Sequence, residues 1–113
     1  MAHYLLQVAY TPQAWASLIK NPHDRTQVLK PVLEKLGGKF GAVYFAFGEY
    51  DIVGILEMPA NADAAAFAIA AAAGGAIKSI KTTPLMTVEE GISAMKKAAQ
   101  AGYVPPTAAP AGV

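Results

Sequence analysis

The stretch KFGAVYFAFGEYDIVGILEM, residues Lys39–Met58, determines the architecture of this chain because it predicts two apolar strands joined by a short turn. We predict strands over residues 39–47 and 52–58, with Gly48–Asp51 as the turn of a β-hairpin. Successive side chains of a strand point to opposite faces of the sheet. The distribution of apolar residues between those two faces therefore indicates what must cover each face.

Both faces of this hairpin are apolar. The alternating sets are Ala42, Tyr44 and Ala46 against Val43, Phe45 and Phe47 in the first strand, and Ile52, Gly54, Leu56 and Met58 against Val53 and Ile55 in the second. A sheet with one face in water normally alternates apolar and polar residues. Helices of the same chain can cover one face only. We therefore expect the chain to pair with itself, as a homodimer or a higher multiple.

The segments before the hairpin predict one strand and a divided helical region. Residues 3–10 alternate as a strand, and Thr11-Pro12 gives the capping and first-turn pattern of a helix. Asn21-Pro22 interrupts that helix, and a second helical stripe begins near His23 or Asp24. Pro31 lies within this stripe and predicts a kink or a late start.

The segments after the hairpin repeat the helix–strand order. Residues 64–73 predict a helix capped by Asn61 or Asp63, and residues 77–86 predict a fourth strand. Thr87 has capping-box spacing to a glutamate and opens a last helix. Glycine pairs at 37–38 and 74–75 predict left-handed helix ends. The order βαββαβ, with a C-terminal helical extension, predicts an α+β ferredoxin-like fold with a four-stranded antiparallel sheet.

Composition limits the classes of function. The 113 residues suffice for one domain over residues 1–102, followed by a Pro/Ala-rich tail over 103–113 that we expect to be flexible. The net charge is +1 and the charges are scattered, which argues against nucleic-acid binding. The uncharged stretch 64–77 is too short to span a bilayer, so no membrane partner is expected. Without cysteine or a signal-peptide pattern, the expected location is the cytoplasm.

The motifs of the chain resemble those of the GYD domain family. The resemblance covers residues 4–91 and includes the Gly48–Asp51 turn, the helix end at 34–39, and Thr82-Thr83 followed by two glutamates at 89–90. It implies a dimeric α+β barrel, and it supplies no reaction and no catalytic residues. Relatives often have glycine where this chain has Ala14, and Pro31 interrupts a helix that is usually regular. Either difference can reshape a cavity under the first helix.

The turn Gly48–Asp51 has two interpretations. Glycine and aspartate are common turn residues for backbone reasons alone, which makes the turn structural. A catalytic interpretation makes Glu49 or Asp51 a general base and Tyr50 a hydrogen-bond donor. Turn chemistry already explains these residue types, so we favour the structural interpretation.

A second candidate is a small-molecule pocket between the sheet and the first helices. Its expected lining is Tyr10, Trp15, Tyr44 and Phe47, with Arg25 or His23 at the rim. Aromatic walls with few polar groups are typical of such pockets. The alternative is that these aromatic side chains fill the core.

Metal and cofactor chemistry has little support in the sequence. The two histidines, His3 and His23, lack ligand spacing, so we predict no metal site and no cofactor. A single histidine can still hold haem or move a proton, and His23 at a helix start is the better placed. The leading hypothesis is a homo-oligomeric protein that binds an apolar or aromatic small molecule. The alternatives are a small acid–base enzyme and a non-catalytic assembly module.

Overall fold

The computed structural model describes residues 1–107, which form one antiparallel sheet and four helices. The elements are β1 (Ala2–Tyr10), α1 (Pro12–Lys20), α2 (Arg25–Lys35), β2 (Lys39–Phe45), β3 (Ile52–Met58), α3 (Asn61–Ala73), β4 (Ile77–Leu85) and α4 (Val88–Gln100). The strand order is β2-β3-β1-β4, and every neighbouring pair is antiparallel. The α+β ferredoxin-like prediction is therefore confirmed.

The core lies on one face of the sheet, beneath α2 and α3. Its buried side chains come from β1, β3 and these two helices, and they are Tyr4, Leu6, Val8, Leu33, Leu56, Met58, Ala64 and Phe67. Burying a large apolar side chain stabilises a fold by roughly 1.5–3 kcal/mol, so this cluster is the main source of stability. The helices leave the other face uncovered, as the sequence predicted.

The uncovered surface, called here the open sheet face, is apolar in its middle. Strand register places Leu5 beside Ile55, and Tyr44 beside Val53, on this face. Leu5, Val53 and Ile55 are only half-buried, while Tyr44 is 69% exposed. The prediction that both faces of the hairpin are apolar is confirmed.

Charged groups form one border of the open sheet face. Glu57 lies between His3 and Lys39 in the strand register, and its carboxylate is 3.4 Å from His3 Nε2 and 3.9 Å from Lys39 Nζ. These residues are solvent-accessible, so the pairs contribute little stability. Their position gives the apolar surface a polar edge.

Several local predictions are confirmed, and two need correction. Gly37 and Gly75 adopt left-handed angles, with φ of 78° and 81°. α2 begins at Arg25 on an Asp24 cap and contains Pro31 inside it, so a late start was wrong. β2 ends at Phe45, two residues earlier than predicted. The Ala46 N–H instead donates to the Asp51 carbonyl at 2.9 Å and closes the hairpin.

The predicted cap of α3 was also wrong. Ala60 occupies the cap position and provides no side-chain hydrogen bond. Asn61 Oδ1 instead accepts a hydrogen bond from the hydroxyl of Tyr4 at 2.5 Å, and Asp63 lies within the first turn. A buried tyrosine hydroxyl needs a hydrogen-bond partner. The Asn61 side chain is that partner and therefore does not cap the N-terminus of α3.

The last helix, α4, extends from the domain. Its Thr87–Glu90 capping box is present as predicted, yet none of its residues is buried. It makes no extensive contact with another helix or strand, and the chain measures 68 × 28 × 23 Å. The predicted flexible tail begins at residue 103, and its residues 108–113 lie outside the described part of the chain.

Candidate functional site

Asp51, the last residue of the hairpin turn, connects three elements. Its Oδ2 accepts hydrogen bonds from the backbone N–H of Tyr10 at 2.9 Å and from Nε1–H of Trp15 at 3.3 Å. Its own backbone N–H donates to the Val8 carbonyl at 2.7 Å. The carboxylate therefore fastens the turn to the end of β1 and to α1, which supports the structural interpretation of this residue.

An aromatic cluster surrounds this junction. The Tyr10 and Trp15 rings meet edge to face with centroids 5.5 Å apart and planes at 84°. The Trp15 and Phe45 centroids are 6.5 Å apart. Edge-to-face pairs contribute roughly 0.5–1.5 kcal/mol beyond their buried area. The cluster therefore fixes the position of α1 at this end of the sheet.

The other predicted turn residues lie further out. Glu49 is exposed and Tyr50 is half-buried. Phe47 is fully exposed at the outside of the turn. It lies outside both clefts described next, whose linings are formed by other residues. Glu49, Tyr50 and Asp51 line neither of these two clefts.

The first cleft, called here the inter-helix cleft, lies between α1, α2 and α3 and has a volume of about 620 Å³. Its apolar lining includes Leu18, Leu29, Val32, Phe67 and Ile77. Its polar lining is Tyr10, Ser17, Asn21, His23 and Arg25. The fifteen lining residues include Arg25 but no lysine, aspartate or glutamate, so the interior is predominantly apolar.

The second cleft, called here the edge cleft, lies between α2 and the outer strand β2. It measures about 530 Å³ and includes Arg25, Tyr44 and Phe45. Four further charged residues line it, namely Asp24, Lys30, Glu34 and Lys39. This charged lining makes the edge cleft less suited to an apolar ligand than the inter-helix cleft.

Tyr10 and Arg25 form the polar end of the inter-helix cleft. Burial raises the pKa of the Tyr10 phenol above its ordinary value, although the charge and hydrogen bonding of the Arg25 guanidinium act in the opposite direction. The phenol therefore stays protonated at neutral pH. His23, also in this lining, is exposed, and its Nδ1 lies 2.7 Å from the Asn21 carbonyl oxygen.

The structure divides the predicted pocket residues among four places, one of which is the exposed position of Phe47 outside both clefts. Tyr10, Arg25 and His23 meet in the inter-helix cleft, Tyr44 lies in the edge cleft, and Trp15 packs between Tyr10 and Phe45.

The α3 wall of the inter-helix cleft was not predicted from the sequence. This wall is formed by Phe67, Ala70, Ala71 and Gly74, which have the i, i+3, i+4, i+7 spacing of one helical face. Small residues at three of these four positions leave space beside the helix. This spacing could have predicted a cleft from the sequence, because a helical face of small residues packs less tightly against a neighbouring element than a face of leucines.

Two further observations concern residues 1–107. In this part of the chain no three histidine or acidic side chains are grouped so that they can hold a metal ion. The same residues include no helix with the length and apolar character needed to cross a membrane.

Comparison with known proteins assigns most of the chain to a family. Residues 4–95 match the GYD domain family, and the chain belongs to that family. The match extends from β1 into α4 and includes both clefts. No curated protein and no solved structure matches the chain significantly.

Proposed function

We propose that this GYD domain protein is a homodimer that binds an apolar small molecule in the inter-helix cleft. The observation that carries the proposal is the cleft itself, with its volume of about 620 Å³ and one fully charged side chain in its lining. Small-molecule sites are typically concave, mostly apolar and of roughly 300–1,000 Å³.

The acid–base residues supply no comparable support for an enzyme. Asp51 Oδ2 is engaged by two N–H donors, and Glu49 is exposed. A general base must reach a substrate proton from a site that holds the substrate. Neither carboxylate lines the inter-helix cleft. His23 does line it, but this side chain is exposed and its Nδ1 lies at the Asn21 carbonyl oxygen, so binding is the better supported function.

The dimer is proposed through the open sheet face. Leu5, Val53 and Ile55 are covered on this face by their strand neighbours only, and Tyr44 is largely exposed. An apolar centre with a polar border is the usual composition of a protein interface, and Glu57 with its neighbours His3 and Lys39 provides such a border. A two-fold pair of sheets buries the apolar centre of both copies. The cytoplasm is the proposed compartment, with which the absence of cysteine is compatible.

The binding proposal is tested with Nile red, a neutral apolar dye whose fluorescence rises in apolar sites. We expect saturable binding by the wild type and a loss of about tenfold or more in affinity for Ala71→Leu, which fills the cleft. Ala65→Leu is the matched control, because Ala65 lies on the exposed side of the same helix. Absence of saturable binding, or equal effects of the two variants, would overturn the proposal.

The dimer is tested by sedimentation velocity at micromolar concentration. We expect twice the chain mass for the wild type and a monomer for Ile55→Glu, since a charge at the centre of an apolar interface is not solvated. Gln13→Glu on the exposed side of α1 is the control and is expected to remain dimeric. A monomeric wild type contradicts the proposal.

A further inference from the structure

Arg25 is a half-buried cation with no ionic partner in the described chain. Within residues 1–107 the two ion pairs both involve Glu57, which binds His3 and Lys39 rather than Arg25. The neighbouring Asp24 accepts two hydrogen bonds from Thr26 at 2.9 and 2.6 Å. No aspartate or glutamate lines the inter-helix cleft. Arg25 also lines the edge cleft with Asp24 and Glu34, but neither carboxylate forms an ion pair with it. On the inter-helix side, its charge therefore faces no carboxylate of the lining.

The chemistry of this end of the cleft favours an anion. A guanidinium is always protonated in proteins, and its planar N–H groups match the two oxygens of a carboxylate. The Tyr10 hydroxyl lies beside Arg25 and can donate a third hydrogen bond. The rest of the lining is apolar, with Leu18, Leu29 and Phe67 among its walls. A ligand that satisfies both parts has one anionic end and an apolar body.

We propose that the ligand class of the inter-helix cleft is an apolar monocarboxylic acid, whose carboxylate binds Arg25 and Tyr10 while its hydrocarbon part lies along α1, α2 and α3. This proposal rests on the proposed binding function and specifies its substrate class. The acid displaces water from apolar walls at one end and neutralises the guanidinium at the other.

The test measures displacement of Nile red by decanoate and by 1-decanol, below the concentration at which either forms aggregates. The two probes share a ten-carbon chain and differ in the charged group. We expect decanoate to bind about tenfold or more tightly than decanol, because hydrogen bonds to charged groups contribute more than neutral ones. Arg25→Gln should remove this preference. Lys30→Gln is the matched control, because Lys30 lines the edge cleft only.

The outcomes separate the two proposals. Equal affinity for decanoate and decanol, both lost in Ala71→Leu, overturns the acid class and leaves the binding function standing. An unchanged preference in Arg25→Gln overturns the role of Arg25. A wild type that binds neither Nile red nor decanoate overturns the binding function as well.

A separate observation concerns α4, whose apolar side faces solvent. Val88, Ile92 and Met95 recur at helical spacing and are 81%, 43% and 66% exposed. The helix has 13 residues, and isolated helices shorter than about 12–15 residues are marginal in water. Its stability therefore requires a surface that the described residues of its own chain do not provide.

The apolar side of α4 begins beside the end of the sheet. Leu85 lies beside His3 at the end of β4 and is 39% exposed, and Met86 beyond it is 66% exposed. Val88 follows at the start of the helix. Exposed apolar residues thus continue from the end of β4 into the arm, and the row of His3, Glu57 and Lys39 separates them from the apolar centre of the open sheet face. An arm outside its own domain is placed to reach the second subunit.

We infer that α4 of each subunit docks on the second copy of the chain and adds to the interface formed by the open sheet faces. The test compares Met95→Glu, on the apolar side, with Ser93→Glu on the other side of the helix. We expect the first variant to raise the dimer dissociation constant about tenfold or more and the second to leave it within about twofold. Hydrogen exchange should show α4 amides protected at dimer-forming concentration and not on dilution.

An unaffected dissociation constant in Met95→Glu, with the dimer intact, overturns the inference about α4 alone. A monomeric wild type overturns it together with the dimer proposal. Protection of α4 amides that arises only with phosphatidylglycerol vesicles assigns this helix to a lipid surface instead and equally overturns the inference.

Discussion

Asp51 illustrates how one side chain of a short motif can organise a domain. It lies at the end of a turn, but its carboxylate reaches the last residue of β1 and the single tryptophan of the chain. Because both donors are N–H groups that need an acceptor when partly buried, an oxygen at this position serves two elements at once. The residue thus couples hairpin closure to the placement of α1.

We predict that Asp51→Ala lowers the free energy of unfolding by about 1–3 kcal/mol, since it leaves two donors without their acceptor. Asp51→Asn retains an acceptor oxygen of similar shape and should lose less. Urea unfolding, monitored by circular dichroism, measures both variants. Glu49→Ala in the same turn is the control and should change stability by no more than about 0.5 kcal/mol. An equal loss in Glu49→Ala would contradict the role assigned to Asp51.

The raised pKa of Tyr10 predicts a loss of folding stability in alkali. Burial raises the pKa of its phenol in the folded state above the ordinary 10.0, which applies to the unfolded chain. The folded state therefore holds this proton more tightly, and the resulting stabilisation is complete below pH 10.0 and lost as the pH rises through the folded-state pKa. Tyr10→Phe should remove this part of the alkaline destabilisation.

The measurement is the free energy of unfolding of Tyr10→Phe and wild type at neutral pH and above pH 10.0. Near neutral pH we expect the free energy of unfolding to depend on pH in the same way for both proteins. In alkali the free energy of the wild type should fall more steeply than that of Tyr10→Phe. Tyr103→Phe, at an exposed position outside the open sheet face, is the control and should follow the wild type. Identical alkaline curves for all three proteins would refute the assignment.

At the scale of elements, α3 has an N-terminus that can be improved. Ala60 has the extended angles of a cap residue, φ −153° and ψ 168°, but no side-chain oxygen. Ala60→Ser supplies one and should raise the free energy of unfolding by about 0.5–2 kcal/mol. Thermal and urea unfolding give the stabilities of Ala60→Ser and Ala60→Gly. Only the serine variant has a side-chain oxygen, so the comparison separates the effect of a capping hydrogen bond from that of backbone flexibility. A serine variant no more stable than the glycine variant would show that the cap is not formed.

The helices and strands were predictable from the sequence where a local pattern of residues determined them. Residues 52–58 form a short apolar run after a turn and fold as the predicted strand, and Thr11 and Thr87 cap helices as predicted, because these signals are local. Asn61 was misassigned because its partner, Tyr4, is 57 residues away. A local pattern cannot show which of two hydrogen bonds a side chain will make.

The candidate site was predictable only in part, for the same reason. Tyr10, Arg25 and His23 were expected in one pocket and do lie in one lining. The space they border depends on the separation of α2 and α3, and neither helix specifies that separation by itself. Trp15 and Phe47 have residue types suited to a pocket, but their positions are set by Asp51 and by the early end of β2.

At the scale of the whole molecule, the described chain is more extended than a compact domain. Its radius of gyration is 19.0 Å, whereas a compact chain of this length has a value of about 13 Å. The extension of α4 explains the difference, since the sheet and the other helices pack together. The same arm carries exposed apolar residues, so its shape and surface composition are both compatible with the proposed second subunit.

This shape leads to a prediction about thermal unfolding. If folding and dimerisation are coupled, unfolding releases two chains and the transition depends on protein concentration. A tenfold increase in concentration then stabilises the dimer by about 1.4 kcal/mol, which should raise its Tm by roughly 3–6 °C for a folded unit of this size. Differential scanning calorimetry at protein concentrations from about 5 to about 500 μM measures this shift in Tm. Ile55→Glu should unfold at a temperature independent of concentration, because its interface is already broken. A wild-type Tm that stays constant over that range would mean that one copy of the sheet is stable with its apolar face in water.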